Sequence, residues 1–255
     1  MLLRICSFLQ AYIEMNKKPP VRALLSIAPM LFFLACGASP EQQVGSIYEF
    51  KRDPTPQNVE RLRKFLDNEV PRVRATAVNA LVTLDVEDAA RIAVMALEDS
   101  DEFVRATAAK LVGDQEDPNL AGFLEQRILR DPSALVRRRA AQALRRAGGP
   151  QSGEVLVSAL SDPDQDVRLA VLRAVRDLAP GQGVERLIEI LEQDPVWELR
   201  VQAAVALGTS SRPAARDALQ AAEDDPVEFV RSAATKALVD QPPIVQPPVD
   251  GAASE

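Results

Sequence analysis

The 255-residue chain has no histidine at all. That removes the side chain that titrates near neutrality, the usual general base and the commonest metal ligand together. There are two cysteines, Cys6 and Cys36, both near the start. The remainder of the chain therefore holds no disulfide and no thiolate zinc site. Aromatic residues make up 4% of the chain, with a single tryptophan. Its apolar burial must come from Ala, Leu and Val, which suits closely approaching helices and favours an all-α fold. The formal charge is −7, and an acidic chain is a poor general ligand for nucleic acid.

A long apolar run is also missing. The longest stretch, Ala23 to Ala35, is shorter than the ~20 residues a spanning helix requires, and Pro29 interrupts it. It follows Lys17, Lys18 and Arg22 and ends at Cys36-Gly37, the order of charges, apolar core and small residues found in a secretory signal. Glu14 and the apolar patch before it fit that pattern poorly, which suggests Met15 as the translation start. The end Phe33-Leu34-Ala35-Cys36 resembles the lipobox of bacterial lipoproteins, although Phe33 stands where Leu is usual. The resemblance implies cleavage after Ala35, lipidation of Cys36 and residence in the cell envelope. With Gly37 rather than Asp after the cysteine, it implies the outer membrane, facing the periplasm, if the host has two membranes. Buried acyl chains contribute about 0.8 kcal/mol per methylene, so two or more would hold the protein at the membrane.

Past the signal the chain repeats itself. An apolar residue followed by arginine recurs at Val73-Arg74, Val104-Arg105, Val136-Arg137, Val167-Arg168, Leu199-Arg200 and Val230-Arg231, at steps of 31, 32, 31, 32 and 31 residues. Four residues after each apolar position stand Ala77, Ala108, Ala140, Val171, Ala203 and Ala234. Eight after it stand Leu81, Val112, Leu144, Val175, Leu207 and Leu238. This spacing marks one face of a helix. Five residues before it lie Asn68, Asp99, Asp131, Asp162, Asp194 and Asp225, four of them followed by proline, which disfavours helix in the preceding residue. Upstream of the turns are further short amphipathic segments, such as Leu120, Phe123, Leu124 and Ile128, or Val184, Leu187, Ile188 and Leu191. Each unit thus reads as two helices joined by an acidic turn. Gly113, Gly148, Gly149 and Gly208 follow the second helices, where left-handed caps are expected.

These residues resemble the HEAT repeat, in the short variety named after phycobilisome lyases. The resemblance covers residues 56–240 and implies a right-handed α-solenoid of six HEAT-like helix pairs. The expected organisation is a signal peptide over 1–35, a lipidated start and polar tether over 36–55 with a short helix around Val44 to Phe50, the repeats over 56–240, and a Pro-rich tail over 241–255.

The six ladder arginines Arg74, Arg105, Arg137, Arg168, Arg200 and Arg231 read first as structural ties between neighbouring units and second as an anion-binding row. The third unit crowds Arg137, Arg138, Arg139, Arg145 and Arg146 into one helix, either as a docking patch for an acidic or polyanionic partner or as counter-charge for its neighbours. Trp197 is a candidate partner contact or a plug of the seam between units, and Phe103 and Phe229, one residue later in the equivalent frames, read as seam plugs.

The function expected is non-catalytic: a scaffold for a protein or peptide partner, anchored to the membrane through Cys36, with no cofactor, metal or catalytic residue. An enzyme of the bilin lyase or deoxyhypusine hydroxylase type is the alternative. The hydroxylase resemblance implies His-Glu pairs for iron, which a chain without histidine cannot supply. A polyanion-binding protein using the third unit is the other alternative.

Overall fold

The computed structural model describes residues 38–243. Cys36, the segment before it and most of the Pro-rich tail lie outside the described residues. Two compact units divide between Gly45 and Ser46. Thirteen α-helices and no strand occur among the described residues.

The first helix, α1 (Pro40–Arg52), runs through the stretch expected to be mainly tether. Beyond Gly45 it packs: Ile47 is fully buried, and the guanidinium of Arg61 lies 5.5 Å over the ring of Phe50. Ile47 and Phe50 are three residues apart and share a helix face, so this polar segment has a narrow apolar stripe and buries it.

Twelve helices then alternate in pairs. The first members are α2 (Pro56–Arg63), α4 (Ala89–Ala96), α6 (Ala121–Arg130), α8 (Gly153–Ala159), α10 (Val184–Gln193) and α12 (Pro213–Ala221). The second members are α3 (Pro71–Thr83), α5 (Glu102–Asp114), α7 (Ala134–Ala147), α9 (Gln165–Leu178), α11 (Trp197–Leu207) and α13 (Glu228–Asp240). Each second helix packs on its own first helix, and those of the first five units also pack on the second helix of the next unit, giving an α-solenoid.

The periodic stripe forms the core. Every residue of the series from Val73, Ala77 and Leu81 to Val230 and Ala234 is at most 1% exposed, with only Leu238 partly open. Burying each Val or Leu contributes about 1.5–3 kcal/mol, and part of that burial is supplied by the adjacent unit. The outward positions of the last helix are polar where earlier units are apolar. Thr235 is exposed at the place held by buried Val78, Ala109, Ala141, Leu172 and Ala204.

Helix starts follow the acidic turns. The side chains of Asp101 and Asp164 accept hydrogen bonds from the first free amides of α5 and α9, at 2.9–3.4 Å. The expected glycine caps are corrected. Gly113 is inside α5 and fully enclosed, and a Cβ there would lie 2.6 Å from the Cβ of Ala143 on α7. Gly208 meets Ala237 on α13 in the same way, at 2.9 Å. Both glycines permit close approach of neighbouring second helices. Gly148 caps α7 in an extended conformation, with φ −88° and ψ 178°. The left-handed residues after α3 and α5 are Asp85 and Glu116, with φ of 51° and 53°.

Candidate functional site

The ladder arginines occupy the seam between units. Arg74, Arg105, Arg137, Arg168 and Arg200 reach forward to Asp99, Asp131, Asp162, Asp194 and Asp225, the turn aspartates of the following unit, with Nε donating to Oδ2 at 2.7–3.2 Å. Nη1 of each, Arg231 included, donates backwards to the carbonyl of its own turn residue at 2.7–3.0 Å. Each aspartate also accepts the backbone amide two residues on, at 2.7–2.9 Å. One guanidinium therefore ties two turns, and one carboxylate closes its turn while receiving the preceding helix. Bidentate pairing of this kind suits the planar fork of arginine. Hydrogen bonding to Arg74 holds the Asp99 carboxyl below the usual carboxylate range, and Arg200 does the same to Asp225. Arg231, the last of the row, meets no carboxylate among the described residues.

A comparable tie joins first helices. Arg63 at the end of α2 pairs through both terminal nitrogens with Asp88 before α4, at 2.6 and 2.9 Å. Its hydrogen bond brings the Asp88 carboxyl down to about 2.

The arginine-rich third unit divides between two surroundings. Arg137, expected both in the ladder and in the docking cluster, is in the seam with its side chain 13% exposed and its donors committed to Asp162, Asp131 and Pro132. It is thereby removed from the docking surface. Arg139 is exposed and donates to Gln142 at 3.2 Å. Arg138, Arg145 and Arg146 face an open groove of about 410 Å³ between α7 and α9. They are joined there by Gln142, Asp166, Leu169, Ala170 and Arg173.

Charge in this groove is only partly matched. Arg138 pairs with Asp166 at 2.9 Å, Arg145 with Asp177 at 2.7 Å, and Arg146 with Asp114 at 2.7 Å. Asp114 also receives Lys110, and Asp177 receives Arg176. Arg173 is exposed and finds no acceptor among the described residues, and the Nε of Arg138 has none either. With the rim included, six basic side chains thus surround three carboxylates. Burial pushes the Asp177 carboxyl up, but the bonds from Arg176 and Arg145 outweigh it and hold it below the ordinary range. The local sequence cluster could not reveal Arg173, which comes from the fourth unit and meets the others only through stacking.

Trp197 begins α11 and Phe229 lies in the first turn of α13. Their rings stack at 5.2 Å and 25°, with the residues 38% and 66% exposed. Phe103 is exposed in the second unit and stacks on no other ring among the described residues. Among the described residues no group of three or more carboxylate, histidine or cysteine side chains could hold a metal ion, and no helix is long and apolar enough to cross a membrane.

The family profile described as HEAT repeats matches residues 33–113, 121–183 and 184–242. No curated protein sequence matches the chain. Among solved structures, YibA of Escherichia coli is 24% identical, with a TM-score of 0.54 over 80% of this chain and 76% of that one. An engineered protein is 22% identical, with a TM-score of 0.52 over 72% of this chain and 96% of that one. The phycocyanin lyase complex of CpcE and CpcF from Nostoc sp. is 22% identical, with a TM-score of 0.46 over 88% of this chain and 90% of that one.

Proposed function

The chain belongs to the HEAT repeat family, and on that footing we propose that it is a non-catalytic scaffold, held at the cell envelope by a lipid on Cys36, that takes an acidic segment of a partner protein into the arginine groove between α7 and α9. The observation that carries this reading is the unmatched positive charge of that groove in a chain of net charge −7. Both walls are helices packed into the solenoid, and Arg138, Arg145 and Arg146 are held by carboxylates, so these three guanidiniums are placed before a ligand arrives. Asp114, Asp166 and Asp177 stand among the arginines. A uniformly charged polyanion would face these carboxylates, whereas spaced acidic side chains can pass between them. The absence of histidine supports a role without acid–base chemistry near neutral pH.

The test is calorimetric titration of the purified full chain with a synthetic peptide of alternating glutamate and serine. Binding is expected, weakening as salt screens it, and falling about tenfold or more, 1.4 kcal/mol, in Arg145→Glu/Arg173→Glu. No binding, equal binding by the variant, or binding of heparin in place of the peptide would overturn the reading. Mass spectrometry of the native N-terminus tests the anchor: an acylated Cys36 is expected, and an unmodified one refutes it.

A further inference from the structure

The groove between α7 and α9 is one furrow of a row, because successive units repeat position by position. On its α9 side it is lined by Asp166, Leu169, Ala170 and Arg173. The same positions on α13, counted from the buried valine of each helix, carry Phe229, Ser232, Ala233 and Lys236. On its α7 side Arg138, Gln142, Arg145 and Arg146 form the wall. Their counterparts on α11 are Val201, Val205, Gly208 and Thr209. The same surface therefore changes from a wall of arginines in the middle of the solenoid to a wall led by two valines at the fifth unit, facing Phe229 and Ala233 beside the polar Ser232 and Lys236 of the sixth. Val201 and Val205 are half-buried there, and the stacked Trp197 and Phe229 stand beside them, open to solvent. These rings rest on one another across a seam and leave large apolar faces in water. Tryptophan is enriched among the residues that dominate binding energy, which suits Trp197 to anchor a partner.

We propose that the two furrows form a single binding face, and that its occupant is an extended segment of a partner protein with acidic side chains at one end and an aromatic or branched aliphatic side chain at the other. This rests on the acidic-partner reading and adds the second contact to it. The acidic end pairs with Arg145, Arg146 and Arg173. The apolar end covers Trp197, Phe229 and the valine floor beside them. The two furrows are two helix spacings apart, about 20 Å at ~8–10 Å each. Extended chain rises about 3.3 Å per residue, so about six residues separate the two ends of the segment.

The chain provides its own reporter, since Trp197 is its one tryptophan. The full chain is titrated with two peptides: the acidic peptide, and the same peptide continued through a Gly-Ser spacer of about six residues to Leu-Phe. The longer peptide is expected to bind about tenfold tighter and to shift Trp197 emission to the blue, while the acidic peptide leaves emission unchanged. In Trp197→Ala/Phe229→Ala, both at exposed positions, the gain is expected to vanish with the affinity for the acidic peptide retained and the helical dichroism unaltered. Equal affinity for both peptides with unchanged emission sinks this inference while leaving the acidic-partner reading intact. Failure of both peptides to bind sinks the two together. A blue shift with anionic vesicles and none with the longer peptide, or an emission change on deleting residues 244–255 with no response to either peptide, would assign the apolar furrow to a membrane or to the chain's own tail and overturn the proposal.

Discussion

Asp131 shows what a single turn aspartate does. Its side chain is fully enclosed, it receives Nε and Nη2 of Arg105 at 2.9 and 3.0 Å, and it closes its own turn through the amide of Ser133. Arg105 is 8% exposed. An ion pair this enclosed adds little net stability relative to an apolar substitute, because both charges have lost their water, but removing one partner leaves the other stranded. Asp131→Ala is therefore expected to lower stability by about 3–5 kcal/mol in chemical denaturation. Asp114, in exposed pairs with Lys110 and Arg146, provides the contrast, since Asp114→Ala should change stability by about 1 kcal/mol or less. Equal effects at the two sites would show that the seam pair has no special role. What the rungs add is register, because only the correct stacking of turn on turn offers each guanidinium both a carboxylate ahead and a carbonyl behind.

At the level of the helix, small residues decide how near two rows can come. Gly113→Ala would press a methyl group against Ala143 in a contact where the nearest atoms include backbone, so a loss of about 1–3 kcal/mol is expected in thermal or chemical unfolding. Gly122→Ala, at an exposed position in α6 with open space around it, should instead stabilise by about 0.4–1 kcal/mol by restricting the unfolded chain. A neutral Gly113→Ala would mean that α5 and α7 can part without cost. The two glycines also explain where the sequence was legible. The stripe of Val, Ala and Leu at fourfold spacing locates every second helix, and the Asn or Asp five residues ahead locates every turn. A glycine near a helix end, however, has the same appearance whether it permits a left-handed cap or a close crossing, and only the neighbouring helix distinguishes them. The packing of α1 was hidden for a similar reason, since Ile47 and Phe50 form a stripe too narrow to stand out in polar surroundings. Arg173 was unreadable as a groove residue because no local cluster includes it.

Over the whole molecule, four arginine-paired carboxylates act together when the pH falls. Asp88, brought to about 2, and Asp99, Asp177 and Asp225, also held low, all have folded values beneath the ~3.9 of an unfolded aspartate. Their contribution is complete above the unfolded value and is lost as pH drops through the folded ones. Helical dichroism should thus hold from about pH 5 upward through neutrality, since no histidine is present to titrate there, and then collapse between about pH 4 and 2. A transition near pH 6 would contradict this assignment.

Arg231 carries the remaining consequence. Its backward bonds to Asp225 and Pro226 are made, and the forward edge of its guanidinium meets no carboxylate among the described residues. The second to sixth units repeat one socket, Asp99, Asp131, Asp162, Asp194 and Asp225, which the ladder arginine of any unit would fit, while Asn68 gives the first unit no such carboxylate. The arginine groove has no such freedom, because its two walls come from different copies. Parting the third unit from the fourth would separate Arg138, Arg145 and Arg146 from Arg173 and take the groove apart, so this surface belongs to an adjacency of two copies and to neither copy alone.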